Sequence, residues 1–171
     1  MTGIPTLLTE RLRLRPPEIG DFPAFAEMLT SDRSRFMGGP CSKAEAWKWF
    51  CHDVAQWHLF GHGALMIERR TDGVCVGEVA LSSGPLFPEL ELGWFLYDGF
   101  EGAGYAFEAA ATLRDWAFDV LGARTLVSYT DAANRASIAL ARRLGAVEDR
   151  VAPRPDPADL VFRQQPREST P

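Results

Sequence analysis

Residues Leu90–Ala110, LELGWFLYDGFEGAGYAFEAA, set an order on the chain: an alternating strand runs into a glycine-bearing loop and then straight into a helix. Leu90, Leu92, Trp94 and Leu96 share one face of that strand, and Glu89, Glu91, Gly93, Phe95 and Tyr97 the other, because side chains alternate along an extended backbone. From Tyr105 the period becomes helical, with Ala106, Ala109, Ala110, Leu113, Trp116, Ala117 and Val120 on one face and Gly122 placed to end the helix. A loop that opens onto a helix N-terminus aims backbone N–H groups at one point, which suits a bound phosphate. Gly102 and Gly104 supply the turn, although a bare Gly-x-Gly is common at such junctions for steric reasons alone.

The segments on either side predict the rest of the fold. Thr9–Pro17 alternates Leu12 and Leu14 with Arg11, Arg13 and Arg15, the period of a half-buried strand. Asp21 is placed to cap a short helix carrying Phe22, Phe25, Ala26 and Leu29, and Ser31–Pro40 reads as a loop. Ser42 and Glu45 have the spacing of a capping box, so a helix is expected from Ser42 to about Leu59, stopped by Gly61 and Gly63. Two strands follow, Ala64–Arg69 and Val74–Ser82, joined by a tight turn at Thr71-Asp72-Gly73.

Beyond the central junction the pattern predicts a strand at Thr125–Tyr129, a helix at Asn134–Leu144 and strands at Ala146–Glu148 and Asp159–Arg163. This order implies an α/β (α+β) fold, a mixed and mainly antiparallel sheet of six to seven strands with helices on both faces. At 171 residues, with no long linker, the expected organisation is one domain over 1–163 and a flexible tail over 164–171.

Charge and composition narrow the function. A net charge of -5, with only Lys43 and Lys48 as lysines, argues against a nucleic-acid partner. Three cysteines without a Cys-x-x-Cys pair suit a reducing cytoplasm, and no apolar run is long enough to imply a membrane partner. His58 and His62 stand four apart, but Gly61 interrupts the helix between them, so no metal site is expected.

Two features bear on chemistry. Glu91 sits in an otherwise apolar strand, where burial would raise its pKa and prepare it to take a proton near neutrality; a solvated face or an arginine partner is the structural alternative. A dinucleotide-binding turn would place a third glycine where Phe107 stands and would follow an early parallel strand, whereas here hairpins come first.

The run ELGWFLYDGFEGAGYAFEAA resembles the acetyl-CoA site of the GNAT superfamily of N-acetyltransferases, whose motif Gln/Arg-x-x-Gly-x-Gly/Ala falls on Glu101, Gly104 and Ala106. TERLRLRPPEIGDFPAFAEML resembles the opening strand and helix of the branch with ribosomal-protein N-terminal acetyltransferases. Asn134-Arg135-Ala136-Ser137, ending in Arg143-Leu144-Gly145-Ala146, is similar to that branch's last motif. The resemblance spans roughly residues 8 to 148.

It implies a sheet splayed between the strands Trp94–Tyr97 and Thr125–Tyr129, with pantetheine in the gap against backbone groups of Phe95, Leu96 and Tyr97. It also implies a pyrophosphate held by the backbone of Gly102, Ala103, Gly104, Tyr105 and Ala106, and Asn134 and Ser137 facing the pantetheine arm or the thiol. Glu91 matches a carboxylate that deprotonates the amine through water, and Glu78 is a second candidate. The position of the family's thiolate-protonating Tyr is Ala141, which leaves that task to Ser137 or water. Glu101 departs from the motif's Gln/Arg; its side chain is expected to point to solvent, with Arg135 and Arg142 supplying positive charge.

The implied protein is an N-acetyltransferase using acetyl-CoA as co-substrate and no metal. Its acceptor is an amine, a small molecule or a protein N-terminus, and the protein is a monomer or homodimer. A non-catalytic CoA-binding or protein-interaction domain on the same fold is the alternative.

Overall fold

Antiparallel pairing between strands that follow one another in the chain builds most of the sheet. In the computed structural model, which describes residues 3–166, β1 (Leu7–Leu8) and β2 (Leu12–Arg15) precede α1 (Phe22–Thr30) and α2 (Lys43–Phe60). Then come β3 (Ala64–Arg69), β4 (Cys75–Ser82), β5 (Glu91–Leu96), α3 (Tyr105–Asp119), β6 (Leu126–Asp131), α4 (Arg135–Arg143), β7 (Val147–Glu148) and β8 (Asp159–Gln164). Among the described residues, no helix is long and apolar enough to cross a membrane.

The strands form one mixed, mostly antiparallel sheet in the order β1-β2-β3-β4-β5-β6-β8-β7. Eight strands are present among the described residues rather than six or seven, since the edge of the sheet beside β2 adds the two-residue strand β1. Among the described residues only β5 and β6 run parallel, joined through α3, and they align at a single pair, Glu91 with Val127. Each is fully paired on its other side, β5 to β4 and β6 to β8. The two therefore start together and diverge, and the gap between them is the main irregularity of the sheet. Its closed end is fastened by the Val127 N–H to the Leu90 carbonyl at 3.0 Å and by the Ser128 hydroxyl to the Leu92 carbonyl at 2.6 Å. Arg163 on β8 adds a two-pronged ion pair to Glu89, at 2.7 and 2.8 Å, across β6.

Each sheet face has its own core. Leu92, Leu113, Leu126, Ala109 and Ala110 are buried on the α3 side. Phe25, Phe50, Met66, Phe95 and Tyr97 are buried under α1 and α2, with edge-on aromatic contacts such as Phe25–Phe95 at 5.8 Å. The α2 start is the expected capping box: Ser42 Oγ accepts from the Glu45 N–H and the Glu45 carboxylate accepts from the Ser42 N–H. Gly61 ends the helix in the left-handed region, at φ 75°.

Three expectations are corrected. Asp21 does not cap α1 with its side chain, because its carboxylate is taken by Arg15 at 2.7 and 2.8 Å and by the Glu18 N–H. Ser31–Pro40 contains a 3-10 stretch, Asp32–Met37, which packs on α1 and reaches β6. Gln164, assigned to the tail, is buried at the end of β8, where it faces Leu126; residues 167–171 of that expected tail lie outside the described residues.

Candidate active site

The gap between β5 and β6 opens into a cavity of about 1050 Å³, at the upper end of the size usual for small-ligand sites, roughly 300–1,000 Å³. Glu78, Glu91, Phe95, Leu96, Gly102, Gly104, Tyr105, Ala106, Asn134 and Ser137, all expected at the site, line it. Tyr97 and Ala103 stand outside the lining.

Strand period decides which backbone groups the gap receives. The Tyr97 N–H donates to the Val76 carbonyl at 2.8 Å, so Tyr97 and its alternate residue Phe95 turn their backbone groups to β4. The intervening residues Trp94 and Leu96 turn theirs to the gap. The expectation that Phe95 and Tyr97 offer backbone groups there is corrected on this ground, and Trp94 is the residue that sequence reasoning missed. Extending the Leu90–Leu96 alternation to the backbone would have identified it.

The loop presents three glycines in the left-handed region, Gly99, Gly102 and Gly104, with φ 83°, 79° and 83°. Gly104 is the N-cap of α3 and brings no side-chain cap, so the first N–H groups of the helix stay available to a ligand. Glu108, in the first turn, is drawn away by the Thr9 hydroxyl and by the Arg11 N–H and Nε, at 2.5, 3.0 and 2.7 Å. Arg11 also donates to the Ala103 carbonyl at 2.9 Å and lies over the Tyr105 ring, bracing the loop from β2.

Glu101 does not point freely to solvent. Its carboxylate accepts from Arg33 and from the Gly99 N–H. Burial alone would push its pKa up, but these hydrogen bonds leave it below the ordinary range. Arg33 also donates to Asp98 at 3.0 Å and to the Leu96 carbonyl at 3.1 Å. Besides Arg11, a cation beside the loop thus comes from the 3-10 stretch between α1 and α2. Arg142 instead lies over the Phe162 ring and Arg135 is exposed outside the lining, so neither supplies it. No local sequence signal marks Arg33, whose partners stand 63 to 68 residues away.

At the start of α4, the Asn134 side-chain Oδ1 accepts from the Ser137 N–H at 3.1 Å, the capping contact that starts the helix. This leaves the Asn134 amide and the Ser137 hydroxyl for the cavity. Ala141 is fully buried against Ala146 and Phe162, so a side chain there faces the core.

At the α1–α2 side of the cavity the groups are acidic. Glu91 is half-buried; withdrawal from water, helped by Asp159 and Asp53 and opposed by the Tyr129 backbone N–H, brings its pKa up to about 7. Glu78 on β4 is buried, and burial, with Asp53 and Asp21 adding repulsion, pushes it well above the ordinary carboxyl range. Between them lies Gly93, where a Cβ would meet only the Glu91 Oε1, at 3.9 Å. Gly93 therefore keeps space open. A carboxyl group poised near pH 7, on the same cavity as open backbone donors and an uncapped helix start, can accept a proton from a nucleophile attacking a ligand in the gap.

The family model for the acetyltransferase (GNAT) domain matches residues 11–147. An acetyltransferase from Agrobacterium tumefaciens str. C58 is 54% identical, with a TM-score of 0.94 and 97% of each chain covered. Two more distant structures share the fold. Ribosomal-protein-S5-alanine acetyltransferase from Vibrio fischeri is 16% identical, with a TM-score of 0.69 over 98% of this chain and 100% of its own. RimL, a ribosomal L7/L12 alpha-N-protein acetyltransferase in complex with coenzyme A, is 18% identical, with a TM-score of 0.71 over 92% of this chain and 95% of its own. With a splayed parallel pair, a glycine loop at the start of α3 and a match over residues 11–147, the chain belongs to the GNAT acetyltransferase family.

Proposed function

We propose that this chain moves the acetyl group of acetyl-CoA to a primary amine by direct attack in a ternary complex. The observation that carries the reading is that one cavity joins the open backbone edge of β5, the uncapped start of α3 and the Glu91 carboxylate. The coenzyme A complex of RimL supports acetyl-CoA as co-substrate.

Each chain group then has a task. Backbone N–H groups of Gly102–Ala106 hold the pyrophosphate, aided by the α3 dipole. Trp94 and Leu96 pair with the pantetheine arm, and Arg33 offsets phosphate charge while Glu101 holds it in place. A primary ammonium has a pKa near 10 in water, so the amine must lose a proton before it attacks; Glu91 takes it, directly or through water, with Glu78 as the second candidate. As the N–C bond forms, the carbonyl oxygen gains negative charge beside the β5 backbone donors. The C–S bond then breaks, the amide nitrogen sheds its second proton to water, and the thiolate takes a proton from water, directly or relayed through the Ser137 hydroxyl, which regains one from water. The acceptor is a small amine or a protein N-terminus; the names of RimL and of the S5-alanine acetyltransferase favour the second as a probe.

A thiol-release assay over amines and N-terminal peptides tests the reading. Release of coenzyme A that depends on an amine supports it, and coenzyme A binding without turnover over the whole panel overturns it. Arg33→Ala removes the cation and leaves Glu101 unopposed beside the phosphates, so the Kd for coenzyme A should rise about tenfold, on the order of one charge-assisted hydrogen bond; calorimetry measures it. Gly93→Val fills the space beside Glu91, so it should raise the amine KM at least tenfold while the Kd for coenzyme A stays within twofold.

A further inference from the structure

We infer that the acceptor is a dication, a slender amine whose reacting end meets Glu91 while a second ammonium is held by Asp53 and Glu78 at the inner end of the cavity. This rests on the acetyltransferase reading and names the substrate class for it.

The first observation is an unanswered carboxylate. Glu78 is 4% exposed, lines the cavity, and its Oε2 has no hydrogen-bond partner. Buried polar atoms are nearly always paired, and an exception calls for a reason such as an absent ion or ligand. Asp53, from α2, lines the same cavity at 9% exposure, and burial likewise raises its pKa. Among the described residues its only side-chain hydrogen-bond partner is His52 Nδ1 at 3.3 Å.

The cations nearby are engaged elsewhere. Arg15 is held by Asp21 and Glu68, and Arg33 by Asp98 and Glu101. Arg35 lies over the Phe36 ring and Arg143 over the Phe107 ring. Two acidic groups at low dielectric, with the His52 imidazole at Asp53 and no arginine among the described residues to answer them, favour a positively charged guest.

The second observation is spacing. Glu91 pairs with Ser82 and Phe95 pairs with Glu78, so the backbones of the two acids stand four residues apart along neighbouring strands, about 13 Å at ~3.3 Å per residue, and the Glu91 carboxylate reaches back as far as Gly93. They mark two ends of a trough, and the charge of Asp53 reaches both. The pair between them is Ala80 with Gly93, the smallest floor available, and a methyl at Gly93 would touch nothing closer than 3.9 Å. Phe25 and Phe95 form an apolar wall. An aliphatic chain with an ammonium at each end fits this pattern: acid, apolar span, acid.

The test compares linear α,ω-diamines of three to eight carbons with n-alkylamines and ω-amino alcohols of equal length, as acetyl acceptors and as ligands of the coenzyme A complex. Diamines of one intermediate length should exceed the matching monoamines at least tenfold in both kcat/KM and Kd. In Glu78→Gln, and separately in Asp53→Asn, the diamine-to-monoamine ratio should fall toward one; coenzyme A affinity measured by calorimetry shows whether each variant is folded. Equal values for diamines and monoamines in the wild type overturn the inference, as does an N-terminal peptide that outperforms every diamine. If coenzyme A binds but no amine is acetylated, the transferase reading fails separately, and the calorimetric ratio alone decides the inference: preserved preference supports it, and none overturns it.

Discussion

Glu91→Gln should lower the rate of acetyl transfer by about 10²- to 10⁴-fold, the usual contribution of a positioned general base, while coenzyme A still binds. The amide has nearly the shape of the carboxyl group, so the loss isolates proton acceptance. The wild-type kcat should rise through an apparent pKa near 7 as Glu91 ionises, because its buried carboxyl titrates at about 7; the variant should lack that step. Stability gives an independent reading. The folded protein holds the Glu91 proton up to about pH 7, whereas the unfolded chain loses it near 4.3. The group's contribution to stability is therefore full below the unfolded value and is lost as pH rises through that window. Gln cannot ionise, so the variant should gain thermal stability relative to wild type at pH 8 and show little gain at pH 4. Thermal melts at both values, with a pH–rate profile, check the pair. A variant with wild-type kcat and an unchanged profile would move the base to Glu78.

The second large effect concerns folding. Gly77→Ala places a methyl 2.2 Å from the Phe95 carbonyl oxygen and 2.9 Å from the Leu96 Cα, both backbone atoms in the paired strand. No side chain can swing aside to relieve this, so β4 and β5 must separate. Forcing extra volume into a packed position costs roughly 1–3 kcal/mol, and at about 2–4 °C per kcal/mol for a chain of this size the Tm should drop by several degrees. Because Leu96 moves with β5, the Kd for coenzyme A should rise as well. Gly93→Ala is the control from the same sheet: its methyl meets an ordinary contact at 3.9 Å, so Tm should stay within a degree or two. Equal Tm losses for the two variants would refute the close-approach argument.

Much of the frame was legible because local rules act over a few residues. The Ser42–Glu45 box, the Gly61 stop and the Thr71-Asp72-Gly73 turn each depend on neighbours alone, and each stands where expected. The strand–loop–helix at 90–110 was legible for the same reason, since a change of period from 2 to 3.6 is local. Asp21 shows the limit. Its local pattern says cap, but Arg15, six residues back, offers two charge-assisted hydrogen bonds and wins. Glu91 and Glu78 could be nominated from pattern, but their raised pKa values come first from burial beneath other elements, with Asp53, Asp159 and Asp21 adding to it.

By itself, then, the sequence determined which segments are strands and helices, where the loop meets α3, and which residues of β5 share a face. These follow from periodicity, capping and turn chemistry within a single segment. Only the tertiary structure decided that β5 and β6 part after a single pair, that Trp94 and Leu96 rather than Phe95 and Tyr97 turn their backbone to the gap, and that Arg33 stands beside Glu101. Those outcomes come from pairing register and long-range charge contacts, in which the partners are dozens of residues apart and no local pattern carries the information.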